Sequence, residues 1–294
     1  MSNTQVDAAR TTRWMVGVDG SQDAAVALRW AAGMAAASSS EIVPVCAWNV
    51  PLPTFALAGR RAIDVDRAGL RATAEVGAAQ SIDAASDSDS EEVLIGELLT
   101  VEGHPSDVLL DLTGAGTTVV TGRRGIGQIR RRVLGSVSRD LATHCEGPVV
   151  IVPAGWDRRP CRTIVVGFDG SEHAQAALAW ALANAPEDAT VRALIAIDVV
   201  PWLQPELVLE RHSDYVEEER ARIAAAIDAV DPDQRAERVV VLHGPRQALA
   251  EAMDEADLIV VGPRGIGAVS RTMLGSVTTW ILEAALCPIA VVPR

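Results

Sequence analysis

Two glycine-rich stretches of the chain have the residue types of a phosphate-binding loop. The first, GRRGIGQIRRRVLGS, covers residues 122–136, and the second, GPRGIGAVSRTMLGS, covers residues 262–276. Both keep the spacing G-x-x-G, nine residues, G-S, and the arginine pairs Arg124/Arg264 and Arg131/Arg271, while most residues of QIRRRVL and AVSRTML differ. Glycines let backbone N–H groups approach an anion closely, and a helix that begins at the closing serine adds free N–H donors. The alternative is a connector whose glycines serve the chain alone.

These two loops are basic in an otherwise acidic chain. The net charge is −13, and all 26 basic side chains are arginine. The absence of lysine excludes a Walker A phosphate site and a Schiff-base enzyme, and the negative charge argues against nucleic acid as a partner. A nucleotide polyphosphate would account for the loop arginines, which are Arg123, Arg124, Arg130, Arg131 and Arg132 in the first loop and Arg264 and Arg271 in the second.

A third candidate group is an aspartate that ends an apolar run in each copy. Asp19 lies in VGVDGS and Asp169 in VGFDGS. In the first copy, Gly20 permits a tight turn and Ser21 suits the N-cap of the next helix. A strand-to-helix turn accounts for the glycine and the serine, but it does not account for a carboxylate in both copies. A carboxylate there could accept a hydrogen bond from a ribose hydroxyl or a base amino group.

The elements that would position these groups occur twice, in residues 10–153 and 160–294, joined by the polar segment 155–160. In the first copy the predicted strands are WMVGVD, EIVPVCAW, EEVLIGEL, TTVVTG and PVVIVP. Continuous apolar strands that alternate with helical segments are typical of a parallel sheet covered by helices. The sequence therefore predicts an α/β fold with two tandem Rossmann-like domains, each a five-stranded parallel sheet flanked by helices.

The predicted sheet brings the aspartate and the glycine loop of each copy together. Ligands of such sheets bind outside the carboxyl ends of the strands, where the strand order reverses. The reversal is expected between strands 1 and 4, which end at Asp19 and Gly122. The last strands, PVVIVP and PIAVVP, lie at sheet edges, and exposed apolar edges are expected to pair with another strand. Trp30 and Trp180 are expected in the core or between the halves.

The combined motifs resemble those of the universal stress protein family, in its tandem-domain, ATP-binding form. That family carries G-x-x-G, nine residues, G-[ST], together with the strand-1 aspartate, and the resemblance covers nearly the whole chain. It implies one ATP in each half, with or without Mg²⁺, and an exchange of last strands that the two halves can make within one chain. An aliphatic residue at the end of strand 2 would pack on adenine, here near Ala47 and Ile197. Pro263, which replaces Arg123, removes an N–H donor and would make the two affinities unequal.

The candidate nucleotide contacts lie in the two glycine loops and at the ends of strands 1 and 2 of each copy. In the first copy they are Gly17, Asp19, Ala47, Gly122, Arg123, Arg124, Gly125, Ile126, Gly127, Gln128, Arg132, Gly135, Ser136 and Val137. In the second copy they are Gly167, Asp169, Ile197, Gly262, Pro263, Arg264, Gly265, Ile266, Gly267, Ala268, Gly275, Ser276 and Val277. If the glycines serve the ligand, alanine at Gly122 and Gly262 weakens binding and leaves the fold intact; a loss of folding would favour the connector.

The sequence contains no hydrolase, zinc-protease or CxxC motif and no metal site, and none of the five histidines belongs to a catalytic pattern. We therefore expect a regulatory, non-enzymatic protein of stress response, dormancy or growth control. The alternatives are a slow ATPase or another ATP-using enzyme and, more weakly, an interaction scaffold with vestigial sites. No long apolar run or export signal is found, which predicts no membrane association and a cytoplasmic location. A homodimer and an unknown protein partner are also expected.

Overall fold

The computed structural model describes residues 9–38, 40–50, 66–86, 95–125, 134–157, 161–198, 205–266 and 273–294, with the backbone alone for 205–216. In the first half the elements are β1 (Arg13–Gly17), α1 (Gln22–Ser38), β2 (Glu41–Trp48), α2 (Arg67–Ser86), β3 (Leu99–Glu102), α3 (Pro105–Asp111), β4 (Thr117–Gly122), α4 (Ser136–His144) and β5 (Val149–Val152). In the second half they are β6 (Thr163–Gly167), α5 (Glu172–Asn184), β7 (Thr190–Ala196), α6 (Pro205–Val230), β8 (Ala236–Val241), α7 (Pro245–Ala252), β9 (Leu258–Val261), α8 (Ser276–Ala284) and β10 (Ile289–Val291).

The strands form one ten-stranded sheet in the order β3-β2-β1-β4-β5-β10-β9-β6-β7-β8. Each half contributes five strands in the same internal order, which confirms the predicted α/β fold. β1 lies between β2 and β4, and β6 lies between β7 and β9, so the strand order reverses at β1 and at β6. Because β4 and β9 are buried along their whole length, the sheet needs helices on both faces.

The third strand begins later than the sequence predicts. EEVLIGEL was expected as a strand, but β3 starts at Leu99, and Ile95 makes only an isolated bridge to Ile42. Between that bridge and the pair Val45–Leu99 the third strand has one extra residue. Gly96 lies in this bulge, where a Cβ atom would come 2.6 Å from the carbonyl oxygen of Ile42. Of the predicted strand, residues 91–94 lie outside the described residues.

The two halves meet where β5 and β10 pair antiparallel, with Val150 opposite Ala290. The last strands of the two halves therefore pair within one chain, but they are not exchanged, because each stays beside its own half's β4 or β9. Every other pairing among the described strands is parallel. An antiparallel contact between two otherwise parallel sheets is what a pseudo-two-fold axis between the halves requires.

Buried tryptophans fill the core on one face of this junction, as the sequence predicts for Trp30 and Trp180. The ring of Trp14 makes edge-to-face contacts with Trp30 at 5.8 Å and with Trp180 at 6.3 Å between centroids. Trp180, which belongs to the second half, donates its indole N–H to the hydroxyls of Thr11 and Thr118 in the first half at 3.2 and 3.3 Å. None of the described helices is long and apolar enough to cross a membrane.

Candidate nucleotide site

Each half has a crevice at the carboxyl ends of its central strands. The described residues of the first crevice enclose about 750 Å³, and those of the second enclose about 400 Å³. The predicted residues that line the first are Gly17, Asp19, Ala47, Gly122, Arg124, Gly125, Gly135, Ser136 and Val137. Those that line the second are Gly167, Asp169, Gly262, Arg264, Gly265, Ile266, Gly275, Ser276 and Val277. Ile126, Gly127, Gln128, Arg130, Arg131, Arg132, Gly267, Ala268 and Arg271 lie outside the described residues.

The turn after β1 has the geometry that the sequence predicts. Gly20 adopts a φ of 89°, which is accessible to glycine, and the Ser21 hydroxyl accepts a hydrogen bond from Ala24 N–H at 3.1 Å. Ser171 caps α5 in the same way at the corresponding place in the second half. The Asp19 carboxylate accepts from Ser21 N–H at 3.0 Å, and Asp169 accepts from Ser171 N–H at 2.9 Å. The turn therefore uses the aspartate as well as the glycine and the serine.

The same aspartates hold the glycine loops. The second carboxylate oxygen of Asp169 accepts a hydrogen bond from Ile266 N–H at 2.9 Å. A Cβ atom on Gly265 would lie 2.4 Å from this oxygen, and one on Gly125 would lie 2.4 Å from Oδ2 of Asp19. The carboxylate that the sequence left unexplained thus has a structural task, because it ties the end of the first strand to the glycine loop.

The first glycine of each loop is also required by the chain itself. A Cβ atom on Gly122 would lie 2.6 Å from the carbonyl carbon of Asp23, and one on Gly262 would lie 2.6 Å from Cβ of His173. The N-terminal turn of α1 or α5 occupies that space. Alanine at either position would therefore strain the fold, which favours the connector alternative for these two glycines.

The closing glycine and serine bring each loop back to its start. Gly135 N–H donates to the carbonyl oxygen of Arg123 at 3.0 Å, and Gly275 N–H donates to that of Pro263 at 2.8 Å. Gly135 and Gly275 are the N-caps of α4 and α8, and neither helix start has a side-chain cap. Because the first residues of both helices line the crevices and have no side-chain cap, an anion there could accept hydrogen bonds from their N–H groups.

Arg123 does not line the crevice, which corrects its assignment as a phosphate contact. Its guanidinium is buried and donates to the backbone carbonyl oxygen of Ala285 at 3.1 Å and to that of Glu283. Both acceptors belong to the end of α8, in the other half. Carbonyl oxygens at a helix C-terminus attract a cation, so folding alone explains this arginine. Pro263, at the corresponding position, is buried and also does not line its crevice.

The two lining arginines have different neighbours. Nε of Arg124 lies 3.5 Å from a carboxylate oxygen of Asp23, and both side chains are only 14% exposed. Burial raises the pKa of Asp23, and Arg124 opposes that rise. In the second half His173 takes the place of Asp23, and burial, then Arg264, lower its pKa. Next to the lining arginine, the first half therefore has a carboxylate and the second half an imidazole.

The residue predicted to pack on adenine lines the crevice in the first half, whereas in the second half the lining residue is one position earlier than predicted. Gly17 pairs with Val45 and Gly167 pairs with Leu194, so the counterpart of Ala47 is Ala196. Ala196 lines the second crevice, whereas Ile197 is buried in the core with 4% exposure. Because side chains alternate along a strand, a shift of one residue moves the side chain to the opposite face.

The helices that follow β2 and β7 contact the aspartate turns through different residues. In the first half, Gly20 N–H donates to the Ser81 hydroxyl at 2.9 Å, and Gly77 of α2 packs directly on Gly20. In the second half, the guanidinium of Arg222 donates to the carbonyl oxygen of Asp169 at 2.9 Å. The sequence reasoning did not single out these residues. A glycine inside a helical pattern, as at Gly77, is the signal that could have indicated a close approach.

Comparison with known proteins agrees with the duplicated architecture. A model of the Universal stress protein family matches residues 11–153 and again 160–293. A universal stress protein of Mycobacterium tuberculosis strain H37Rv is 29% identical over 302 residues, which cover 94% of this chain and 95% of the relative. One from Mycobacterium bovis is 30% identical over 305 residues, with 94% and 93% covered.

Solved structures show the same fold. The crystal structure of a universal stress protein from Archaeoglobus fulgidus superposes with a TM-score of 0.64 at 19% identity and covers 97% of this chain and 99% of that one. A putative universal stress protein from Pseudomonas aeruginosa gives a TM-score of 0.59 at 13% identity, with 97% and 94% covered. The repeated motifs, the shared sheet order and the two family matches lead to one conclusion: the chain belongs to the universal stress protein family.

Proposed function

We propose that the protein binds one adenine nucleotide, ATP, in each half and regulates stress response, dormancy or growth without turning ATP over. The observation that carries the proposal is that one crevice occurs twice, with the same strand-end aspartate, glycine loop and uncapped helix start. Volumes of about 750 and 400 Å³ fall within the range of small-molecule sites, about 300–1,000 Å³.

The nucleoside would lie at the strand-2 side of each crevice. Ala47 and Ala196 offer small apolar surfaces there, and Gly17 and Gly167 leave room beside them. Asp19 and Asp169 already accept backbone hydrogen bonds, but a carboxylate oxygen has a second lone pair and can also accept from a ribose hydroxyl.

The phosphates would lie at the helix side of each crevice. Ser136 and Ser276 begin helices whose first N–H groups have no side-chain cap, and Arg124 and Arg264 line the same side. Each helix end is worth only about 0.3–1 kcal/mol per charge at an exposed site, so the arginine and several N–H donors must act together. Among the described residues no cluster of acidic, histidine or cysteine side chains could hold a metal ion, so the proposal places no Mg²⁺ ligand on the protein.

Binding without turnover is favoured by what the strand-end carboxylates already do. Asp169 accepts hydrogen bonds from Ser171 N–H through one oxygen and from Ile266 N–H through the other. Both oxygens of this carboxylate are therefore already engaged by backbone donors of the turn and the loop. It serves the loop rather than a reacting water.

We place the protein in the cytoplasm, where the four cysteines, all free thiols in the structure, would stay reduced. We also propose a homodimer and a protein partner that responds to nucleotide binding. Because β5 and β10 already pair with each other inside the chain, a homodimer would use a different surface.

The test is a calorimetric titration with ATP, using a matched pair of variants. Ala47→Glu and Ala196→Glu each put a carboxylate into one crevice, where it repels the polyanion. The expected result is two ATP bound per wild-type chain and one per variant, with no sustained phosphate release over hours. Absence of binding in the folded wild-type chain would overturn the proposal, and sustained phosphate release would overturn the non-enzymatic part.

A further inference from the structure

Arg123 connects the glycine loop of the first half to a helix of the second half. Its backbone belongs to the loop, since its N–H donates to the carbonyl oxygen of Val152 at 2.9 Å and its own carbonyl oxygen accepts from Gly135 N–H. Its side chain reaches the backbone carbonyl oxygens of Glu283 and Ala285 at the end of α8. Because Arg123 is only 7% exposed, this contact is protected from water and from screening by salt.

The opposite end of α8 lines the second crevice. Gly275, Ser276 and Val277 are lining residues there, and α8 has nine residues, so its ends lie about 13 Å apart. One short helix thus has the second crevice at its N-terminus and the loop of the first crevice at its C-terminus. Its axis runs from the phosphate side of the second crevice to the start of the glycine loop of the first.

Among the described residues, the corresponding position of the second loop does not make this contact with the other half. Pro263 takes the place of Arg123 in the second loop and has no side-chain donor for the carbonyl oxygens that end α4. The side of α8 has one more link to α4, an exposed ion pair in which Arg139 lies 3.8 Å from Glu283. Exposed pairs of this kind contribute little, about 0–1 kcal/mol, so we regard Arg123 as the stronger link.

We propose that Arg123 couples the two nucleotide sites, so that each binds more tightly when the other is occupied. This inference rests on the proposed function. An anion at the N-terminus of α8 and a cation at its C-terminus both interact favourably with the helix dipole. A nucleotide that fixes the N-terminus of α8 therefore also fixes the carbonyl oxygens that hold Arg123, and with them the start of the first loop.

Coupling between binding sites is reciprocal, so occupancy of the first crevice must strengthen the second by the same factor. Couplings of this kind usually change affinity by about 5-fold to 150-fold. Because the link consists of one helix and two charge-assisted hydrogen bonds, we expect a change in ATP affinity at the low end of this range, about 5-fold. Arg123 is a positioning residue in this scheme, since it touches neither nucleotide.

Trp48 gives a signal for the first crevice. It lines that crevice, and no tryptophan is among the described residues that line the second. The dissociation constant of ATP at the first site is measured from the fluorescence change that Trp48→Phe removes. It is measured with the second site intact and with that site blocked by Ala196→Glu, in wild type and in Arg123→Met.

The expected result is that blocking the second site weakens the first about 5-fold in wild type and leaves it unchanged in Arg123→Met. Arg139→Met, the matched control, should keep the wild-type ratio. Should Arg123→Met not fold, Arg123→Lys keeps the charge with a poorer geometry and should give an intermediate ratio. Equal affinities in wild type with and without the block, while two ATP still bind, overturn the coupling and leave the proposed function standing. A chain that binds no ATP overturns both.

Discussion

Replacement of Gly122 by alanine places a methyl group where the backbone of Asp23 already lies. The new Cβ atom would be 2.6 Å from the carbonyl carbon and 2.7 Å from the carbonyl oxygen of Asp23. Neither atom can rotate away, because both belong to the first turn of α1. The strand end or the helix must therefore shift.

The cost of that shift can be estimated from overpacked cores, where an added methyl group destabilises by about 1–3 kcal/mol. For a chain of this length, 1 kcal/mol lowers the unfolding midpoint by about 2–4 °C. We therefore expect Gly122→Ala to unfold about 2–12 °C below wild type. Gly262→Ala, whose Cβ would lie 2.6 Å from Cβ of His173, should behave in the same way.

The assay is thermal unfolding followed by circular dichroism, with ATP absent. Gly33→Ala is the matched control, because Gly33 lies in the middle of α1 and a Cβ there meets nothing within 4 Å. Alanine is favoured over glycine inside a helix by about 0.5–1 kcal/mol, so this control should unfold at a higher temperature than wild type. An unchanged midpoint for Gly122→Ala would refute the reasoning and would favour a ligand-binding role for this glycine.

Three further predictions concern the core, the second crevice and pH. Trp180→Phe removes the indole N–H that bonds Thr11 and Thr118 and should cost about 1–3 kcal/mol of unfolding free energy, measured in urea; no loss would contradict the junction described here. Ile197→Ala should cost about 2–5 kcal/mol but leave ATP affinity unchanged in calorimetry, whereas a selective loss of binding would restore Ile197 to the site. Because burial and Arg264 lower the pKa of His173 below its unfolded value, its contribution to stability is present above about pH 6.5 and is lost as the pH falls. His173→Asn should therefore lose less stability than wild type between pH 7.5 and 5.5 in urea titrations, and an equal loss would contradict this assignment.

Much of the fold follows from patterns that repeat within the sequence. The apolar runs predict the central strands, and the turn around Gly20 and Ser21 predicts the cap that the structure shows. The reversal of strand order at β1 follows from general rules for α/β sheets and places Asp19 beside Gly122 and Gly125. These features are local or follow from topology, so the sequence suffices for them.

The parts that sequence reasoning missed depend on partners that are distant in the chain. Arg123 is the residue type that binds phosphate, and it lies in the glycine loop. Only the position of α8 shows that its guanidinium instead donates to backbone carbonyl oxygens. Ile197 was predicted by adding the same 150-residue offset to Ala47 that relates Asp19 to Asp169. The segment between the first two strands is one residue shorter in the second copy, so the side chain of Ile197 faces the core. A glycine held for close backbone contact and a glycine held for a ligand look the same in sequence, as Gly122 illustrates.

The central claim is that both halves hold an adenine nucleotide. The most direct measurement is the nucleotide content of the purified, denatured chain by mass spectrometry, followed by calorimetric titration of the nucleotide-free chain with ATP. The account predicts that bound and titrated ATP together amount to two per chain. A folded chain that carries no nucleotide and takes up no ATP would contradict it.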